Sequence, residues 1–171
     1  MDEEFIIFDT ETTGLHPHLG DAIIEIAALR INKNGQELAE YQSFIHTGIP
    51  VHPETVEIHG LTDQFIAKHG QPLEKVITEF IQFAGSNTLV GHNIRDFDMV
   101  FVNRHLTQLG QQPLENPIID TLDLAKQKMP HLGTYRLGSL ANEFKIDYSN
   151  AHRAMEDVKI NAEVFIRLLM M

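Results

Sequence analysis

Phe5-Ile6-Ile7-Phe8-Asp9-Thr10-Glu11 is the stretch that decides the architecture. Four consecutive apolar residues have the pattern of a strand buried on both faces. The run stops at a carboxylate, before the polar, glycine-containing stretch Thr10 to Gly20. A central strand ending at Asp9 is expected. On extended chain, residues two apart point to the same side, so the carboxylates of Asp9 and Glu11 converge on one spot. An isolated Asp-x-Glu triplet is more often a turn cap beside a solvated glutamate, so the pair gains meaning only from its surroundings.

Working outward, Ile23 to Ile31 is rich in branched residues, Asn34-Gly35 is a strong hairpin-turn dipeptide, and Leu38 to Ile45 alternates loosely. These two segments are expected to pair as an antiparallel hairpin. Beyond Pro53 the chain reads as helices separated by short strands. Pro72 to Ala84 has apolar residues at helical spacing, and Thr88-Leu89-Val90 reads as a strand. A helix is expected from about Asp96 to Leu109, ended by Gly110. Ile118-Ile119 leads as a strand into Asp120. Helices follow near Thr121 to Lys128, Arg136 to Phe144 and Ala154 to Leu169, the last carrying an apolar stripe through Val158, Ala162, Phe165 and Leu168. Five strands, the early ones antiparallel and the later ones alternating with helices, predict an α/β fold with a mixed sheet flanked by helices. With no repeat, low-complexity tract or linker, residues 1–171 read as a single domain.

Two further groups of residues sit at comparable places. Asp96 and Asp98 open the helix that follows the strand Thr88 to Val90, where acids also serve the helix dipole. His152 and Asp157 are five apart, about 140° around a helix, so they can act together only if His152 precedes the helix and Asp157 lies in its first turns. Taken singly, each group has an ordinary explanation. Together they supply four carboxylates and an imidazole at strand ends and helix beginnings, which in an open sheet with parallel strands lie along one ligand-binding rim. Hard oxygen ligands without thiolates suit Mg2+ or Mn2+.

Composition narrows the setting. The chain has 171 residues, 24 acidic against 13 basic, a formal net charge of -11 and no cysteine. That excludes a disulfide scaffold and any thiolate metal site. The acidic start Met1-Asp2-Glu3-Glu4 is unlike a secretory signal, and no apolar run approaches the ~18 residues that span a bilayer. A soluble, cytoplasmic protein without a membrane partner is expected. The excess of acid by itself speaks against nucleic acid, whose phosphates are gripped mainly by Lys and Arg.

The residues nevertheless resemble a known family. Asp9-Thr10-Glu11-Thr12-Thr13-Gly14, then Gly91-His92-Asn93 leading to Phe97-Asp98, then His152-Arg153-Ala154-Met155-Glu156-Asp157, are similar to the three motifs of the DEDDh (DnaQ-like) 3′-to-5′ exonucleases, including polymerase III epsilon and PolC-type proofreading domains. Ile58-His59-Gly60-Leu61-Thr62 resembles a fourth family segment. The second motif has one residue more between Asn93 and Phe97-Asp98 than is common, and Asp98 is chosen over Asp96 because it follows Phe97. The resemblance implies a ribonuclease-H-like fold. It also implies a site in which Asp9, Glu11, Asp98 and Asp157 hold two divalent ions, Mg2+ or Mn2+, and His152 takes the proton from the attacking water. Thr10, Thr12, Thr13, Leu15, His59 and Asn93 are implied around the terminal nucleotide.

The activity so implied is hydrolysis of DNA from its 3′ end to nucleoside 5′-monophosphates, of the proofreading or repair kind, with a DNA polymerase as a partner. RNA trimming by the same chemistry is the alternative. A non-catalytic polymerase-associated module is disfavoured, because all four acids and His152 are present. The chain ends directly after the last helix, without the tail that tethers proofreading subunits, and reads as free-standing or as one domain of a longer protein. The charge then acquires a second meaning: cations in the site would reverse the local field, while the remaining acidic surface predicts a grip limited to the last few nucleotides and distributive action.

Overall fold

The computed structural model describes residues 3–149 and 153–171. In it the apolar run lies in the middle strand of a five-stranded sheet ordered β3-β2-β1-β4-β5. β1 (Glu4–Thr12) pairs antiparallel with β2 (Ile23–Asn32), which pairs antiparallel with β3 (Glu37–Phe44). On its other side β1 runs parallel to β4 (Thr88–Gly91), and β4 parallel to β5 (Ile118–Asp120). The hairpin between β2 and β3 turns at Asn34-Gly35, with Gly35 at φ +80° and the Asn32 side-chain oxygen accepting the N–H groups of Asn34 and Gln36.

Pleat alternation sorts β1 between two helical layers. Ile6 and Phe8 face α3 (Leu73–Ala84) and α4 (Asp98–Gln108), where they join Val76, Phe80, Phe101 and Val102 in one apolar cluster. The Phe8 and Phe80 rings lie 5.0 Å apart. Phe5 and Ile7 face α7 (Ala154–Leu169) and pack on Met155, Val158 and Phe165. The Phe5 and Phe165 rings meet edge to face at 5.1 Å. The outer side of α7 closes a third cluster with α5 (Thr121–Lys128) and α6 (Leu137–Glu143). Among the described residues, no helix is long and apolar enough to cross a membrane.

Three expectations change. The central strand does not stop at Asp9 but continues to Thr12, because β2 offers backbone partners to every residue from Asp9 to Glu11 before the register shifts between Glu11 and Thr12. The helix expected from Asp96 begins at Asp98, since Asn93 (φ +59°) and Phe97 (φ -124°, ψ -82°) are held in non-helical turns. Two helices of seven residues, α1 (Pro53–His59) and α2 (Asp63–His69), fill the stretch beyond Pro53 that is expected only to be helical. Val51, Leu61 and Ile66 of this region cover Ile24.

The pairing of β1 with β4 ends at Ile7 and Val90. The chain builds outward to β2 and β3 on one side and to β4 and β5 on the other, so the order of the sheet reverses at this pair. Just beyond it, at the carboxyl ends of both strands, lies the crevice where ligands bind in such sheets. Asp9 borders it.

Candidate active site

Asp9 and Glu11 continue the face of β1 that carries Phe5 and Ile7, and Asp157 enters from the first turn of α7 on the same side. Carboxylate oxygens of Asp9, Glu11 and Asp157 all lie within 4.8 Å of one another. Thr10 faces the opposite layer and donates its hydroxyl to Asp98 Oδ1 at 2.7 Å. Asp98, the first residue of α4, is only 2% exposed, whereas Asp96 is exposed. Of the two acids in this segment, Asp98 is therefore the one held against β1. His152 lies outside the described residues.

The electrostatics of this crowding are severe. Burial, followed by the charges of Asp98, Glu11, Asp157 and Glu25, holds the Asp9 carboxyl well above the usual carboxylate range. Burial, then the charges of Glu25 and Asp157, pushes Glu11 up to about 8, with Arg153 opposing. Burial raises Asp98 to about 7 despite the Thr10 hydroxyl. Anionic oxygens brought this close in a partly buried crevice repel one another unless a cation neutralises them. An all-oxygen donor set with no sulfur fits a hard divalent ion.

A rigid loop runs on from the acids. Thr12 donates to the Gly14 carbonyl at 2.6 Å. Thr13 is locked to Ala22 by its backbone N–H (2.9 Å) and by its hydroxyl, which accepts the Ala22 N–H at 3.0 Å. Gly14 sits so close to Asp21 that a Cβ there would lie 2.3 Å from the carboxylate, and Asp21 also receives the His16 N–H. This bracing leaves Leu15, 59% exposed, at the tip. His59 is buried; because its Nδ1 accepts the Leu61 N–H, its Nε2 carries the proton and donates to the Thr12 carbonyl at 3.2 Å. Burial lowers its pKa, consistent with that neutral ring.

Residues 6–165 match the RNase_T family, described as an exonuclease. The chain belongs to the RNase_T exonuclease family. It is 36% identical over 169 residues to the DNA polymerase III PolC-type of Caldanaerobacter subterraneus and 35% identical over 168 residues to that of Listeria monocytogenes. The alignments cover 99% and 98% of this chain but only 12% and 11% of those much longer relatives. Among solved structures, E. coli exonuclease I in complex with a dA16 oligonucleotide superposes with a TM-score of 0.87 at 23% identity, covering 98% of this chain and 42% of that one. Exonuclease X in complex with 5′ overhanging duplex DNA gives 0.77 at 25% identity, over 97% and 91% of the two chains. The ribonuclease-H-like fold is thus established, in a chain that belongs to a metal-dependent exonuclease family.

Several residues around the candidate site carry no motif signal. Asp120, at the end of β5, accepts the N–H groups of Asn93 (2.9 Å), Arg95 (3.3 Å) and Leu122 (3.0 Å), and so fixes Asn93 in its left-handed conformation at the mouth of the crevice. Its position at the end of a strand, like that of Asp9, was the available clue. Thr121 ties this region to α7 through Asn161, at 2.8 Å. Tyr148 has its pKa raised by burial and then by the charges of Asp157 and Asp9. Glu25 is the cross-strand partner of Glu11 and is wholly buried, hidden in sequence inside an apolar run.

Proposed function

We propose that this exonuclease hydrolyses DNA from the 3′ end, one nucleoside 5′-monophosphate at a time, by a two-metal mechanism of the proofreading or repair type. The observation that carries the reading is the convergence of Asp9, Glu11 and Asp157 oxygens within 4.8 Å, in a chain of an exonuclease family. Asp9, Glu11 and Asp157 would hold the first ion, with Asp98, oriented by Thr10, supporting the second. Two ions of Mg2+ or Mn2+, when bound, supply a lowered pKa for the attacking water and stabilisation of charge on the phosphate oxygens.

The chain's own groups would do the rest. His152, five residues before Asp157, is assigned the acceptance of the proton from water, a task for a group titrating near neutrality. Leu15 would wedge against the terminal base, with Thr10, Thr12, Thr13 and His59 forming and backing the wall around its sugar and Asn93 positioning the strand. Such contacts accept every base. DNA is preferred over RNA because the PolC-type relatives are named as DNA polymerases and the two exonuclease structures are DNA complexes. A DNA polymerase partner, a cytoplasmic setting and residues 1–171 as one functional unit belong to the same proposal.

Matched single-stranded DNA and RNA oligonucleotides, labelled at either end and incubated with Mg2+, Mn2+ or EDTA, test it. Expected are a ladder shortening from the 3′ end of DNA, 5′-monophosphate products and no reaction in EDTA. Faster RNA digestion would move the substrate to RNA, and activity in EDTA would remove the metal mechanism.

A further inference from the structure

Glu25 sits on β2 directly across from Glu11 and is 0% exposed. A buried carboxylate beside Glu11 and within reach of Asp9 is costly unless compensated. Its Oε1 accepts from the Gln42 amide on β3 at 2.6 Å and faces the Arg153 guanidinium at 3.5 Å. Its Oε2 has no hydrogen-bond partner among the described residues. Arg153 in turn lies over the Phe44 ring at 5.9 Å. As the residue preceding α7, it accepts the N–H of Asp157 on its own carbonyl at 3.0 Å. One side chain therefore joins the strand bearing the partner of Glu11 to the helix turn bearing Asp157.

We propose that Glu25 and Arg153 form a positioning pair that sets the spacing between Glu11 on β1 and Asp157 on α7, and through it the metal affinity of the site. The inference rests on the reading of Asp9, Glu11 and Asp157 as metal ligands. Two independent elements must be held in register for a trio of oxygens to stay within 4.8 Å. The groups around metal ligands that orient them typically change affinity by about 10- to 100-fold when removed. The alternative role, a simple charge balance, predicts the opposite sign for Arg153: deleting a cation near the crevice would tighten binding of a divalent ion.

Mn2+ binding to the full chain, followed by the electron paramagnetic resonance of the free ion, separates the two, with thermal unfolding in EDTA reporting on folding. Arg153→Ala is expected to weaken Mn2+ binding about tenfold or more, Glu25→Gln to do likewise, and Arg153→Lys, which keeps a charge within reach of Glu25, to stay within about threefold of the native chain. If Arg153→Ala does not fold, Arg153→Gln is read in its place. Unchanged or tighter Mn2+ binding in the folded Arg153 variant overturns the positioning role. Asp9→Ala is the control for the underlying reading: a native chain that binds no Mn2+, or an Asp9 variant that binds it as well as native, fails the proposed function itself. Loss of binding in the Asp9 variant with native binding in the Arg153 variant fails the positioning pair alone.

Discussion

The two halves of β1 share one backbone ladder with β2 and serve opposite purposes. Residues 5–8 are buried on both faces by apolar partners from α3, α4 and α7. Residues 9–11 keep the same pleat but replace apolar contact with Asp9 and Glu11 on one face and Thr10 on the other. The first half is stable because it leaves water. The second is held in place although burial and mutual repulsion oppose the charged state of its acids. The contrast teaches that placement of the carboxylates is inherited from the core segment: a strand fixed at one end cannot let its next residues drift.

The sharpest way to break this comparison is at Asp9. Asp9→Asn is expected to lower exonuclease turnover by at least about a thousandfold, about 4 kcal/mol of barrier, while making the metal-free protein more stable at pH 8. The sign follows from the raised carboxyls. Glu11 and Asp98 hold their protons up to about 8 and about 7 in the folded chain. Their contribution to stability is whole below the ordinary values of about 4 in the unfolded chain, and is lost as the pH rises through the folded ones. Thermal unfolding in EDTA across pH 5 to 9 should show a falling midpoint for the native chain and a flatter one for Asp9→Asn. A midpoint that rises over this range contradicts the account.

At the other end, Phe8→Ala is expected to cost about 3 to 5 kcal/mol of stability, yet leave turnover per folded molecule within a few-fold at low temperature. Denaturant unfolding paired with activity below the transition checks both. A turnover loss as large as that of Asp9→Asn would show that the core half takes part in the site beyond holding it. The smallest effect is expected at the junction between the layers. Thr10→Val keeps shape but removes the hydroxyl that fixes Asp98, and should reduce turnover about tenfold with about 1 kcal/mol of destabilisation. Equal turnover in the two proteins would remove Thr10 from the account of Asp98.

Much of this was legible in the chain, and for identifiable reasons. The apolar run at residues 5–8 gave the middle strand because a strand covered on both faces has no polar side to alternate with. Asn34-Gly35 gave the hairpin because few residues tolerate a positive φ. The trio of Asp9, Glu11 and Asp157 comes from the family resemblance: the two-residue repeat of a strand brings Asp9 and Glu11 together, but local rules leave each acid an ordinary explanation. What escaped was either short or long-range. α1 and α2 span two turns each and show too few apolar repeats to declare themselves. The end of β1 depends on how far β2 extends, which no property of residues 9–12 states. Glu25 sits in the apolar segment Ile23 to Ile31 and looks like an interruption until the register places it beside Glu11.

The register shift between Glu11 and Thr12 has one further consequence. It falls between the last acid on β1 and the braced loop that carries Leu15. Upstream of it the ladder is continuous and tolerates no insertion without moving an acid. Downstream, Thr12 and Thr13 are still tied to Ile23 and Ala22 and Gly14 is closed against Asp21, so room to exchange a residue begins only at the exposed Leu15. The loop tip, rather than the strand, is thus where a side chain can be exchanged while the spacing of the acids behind it stays as it is.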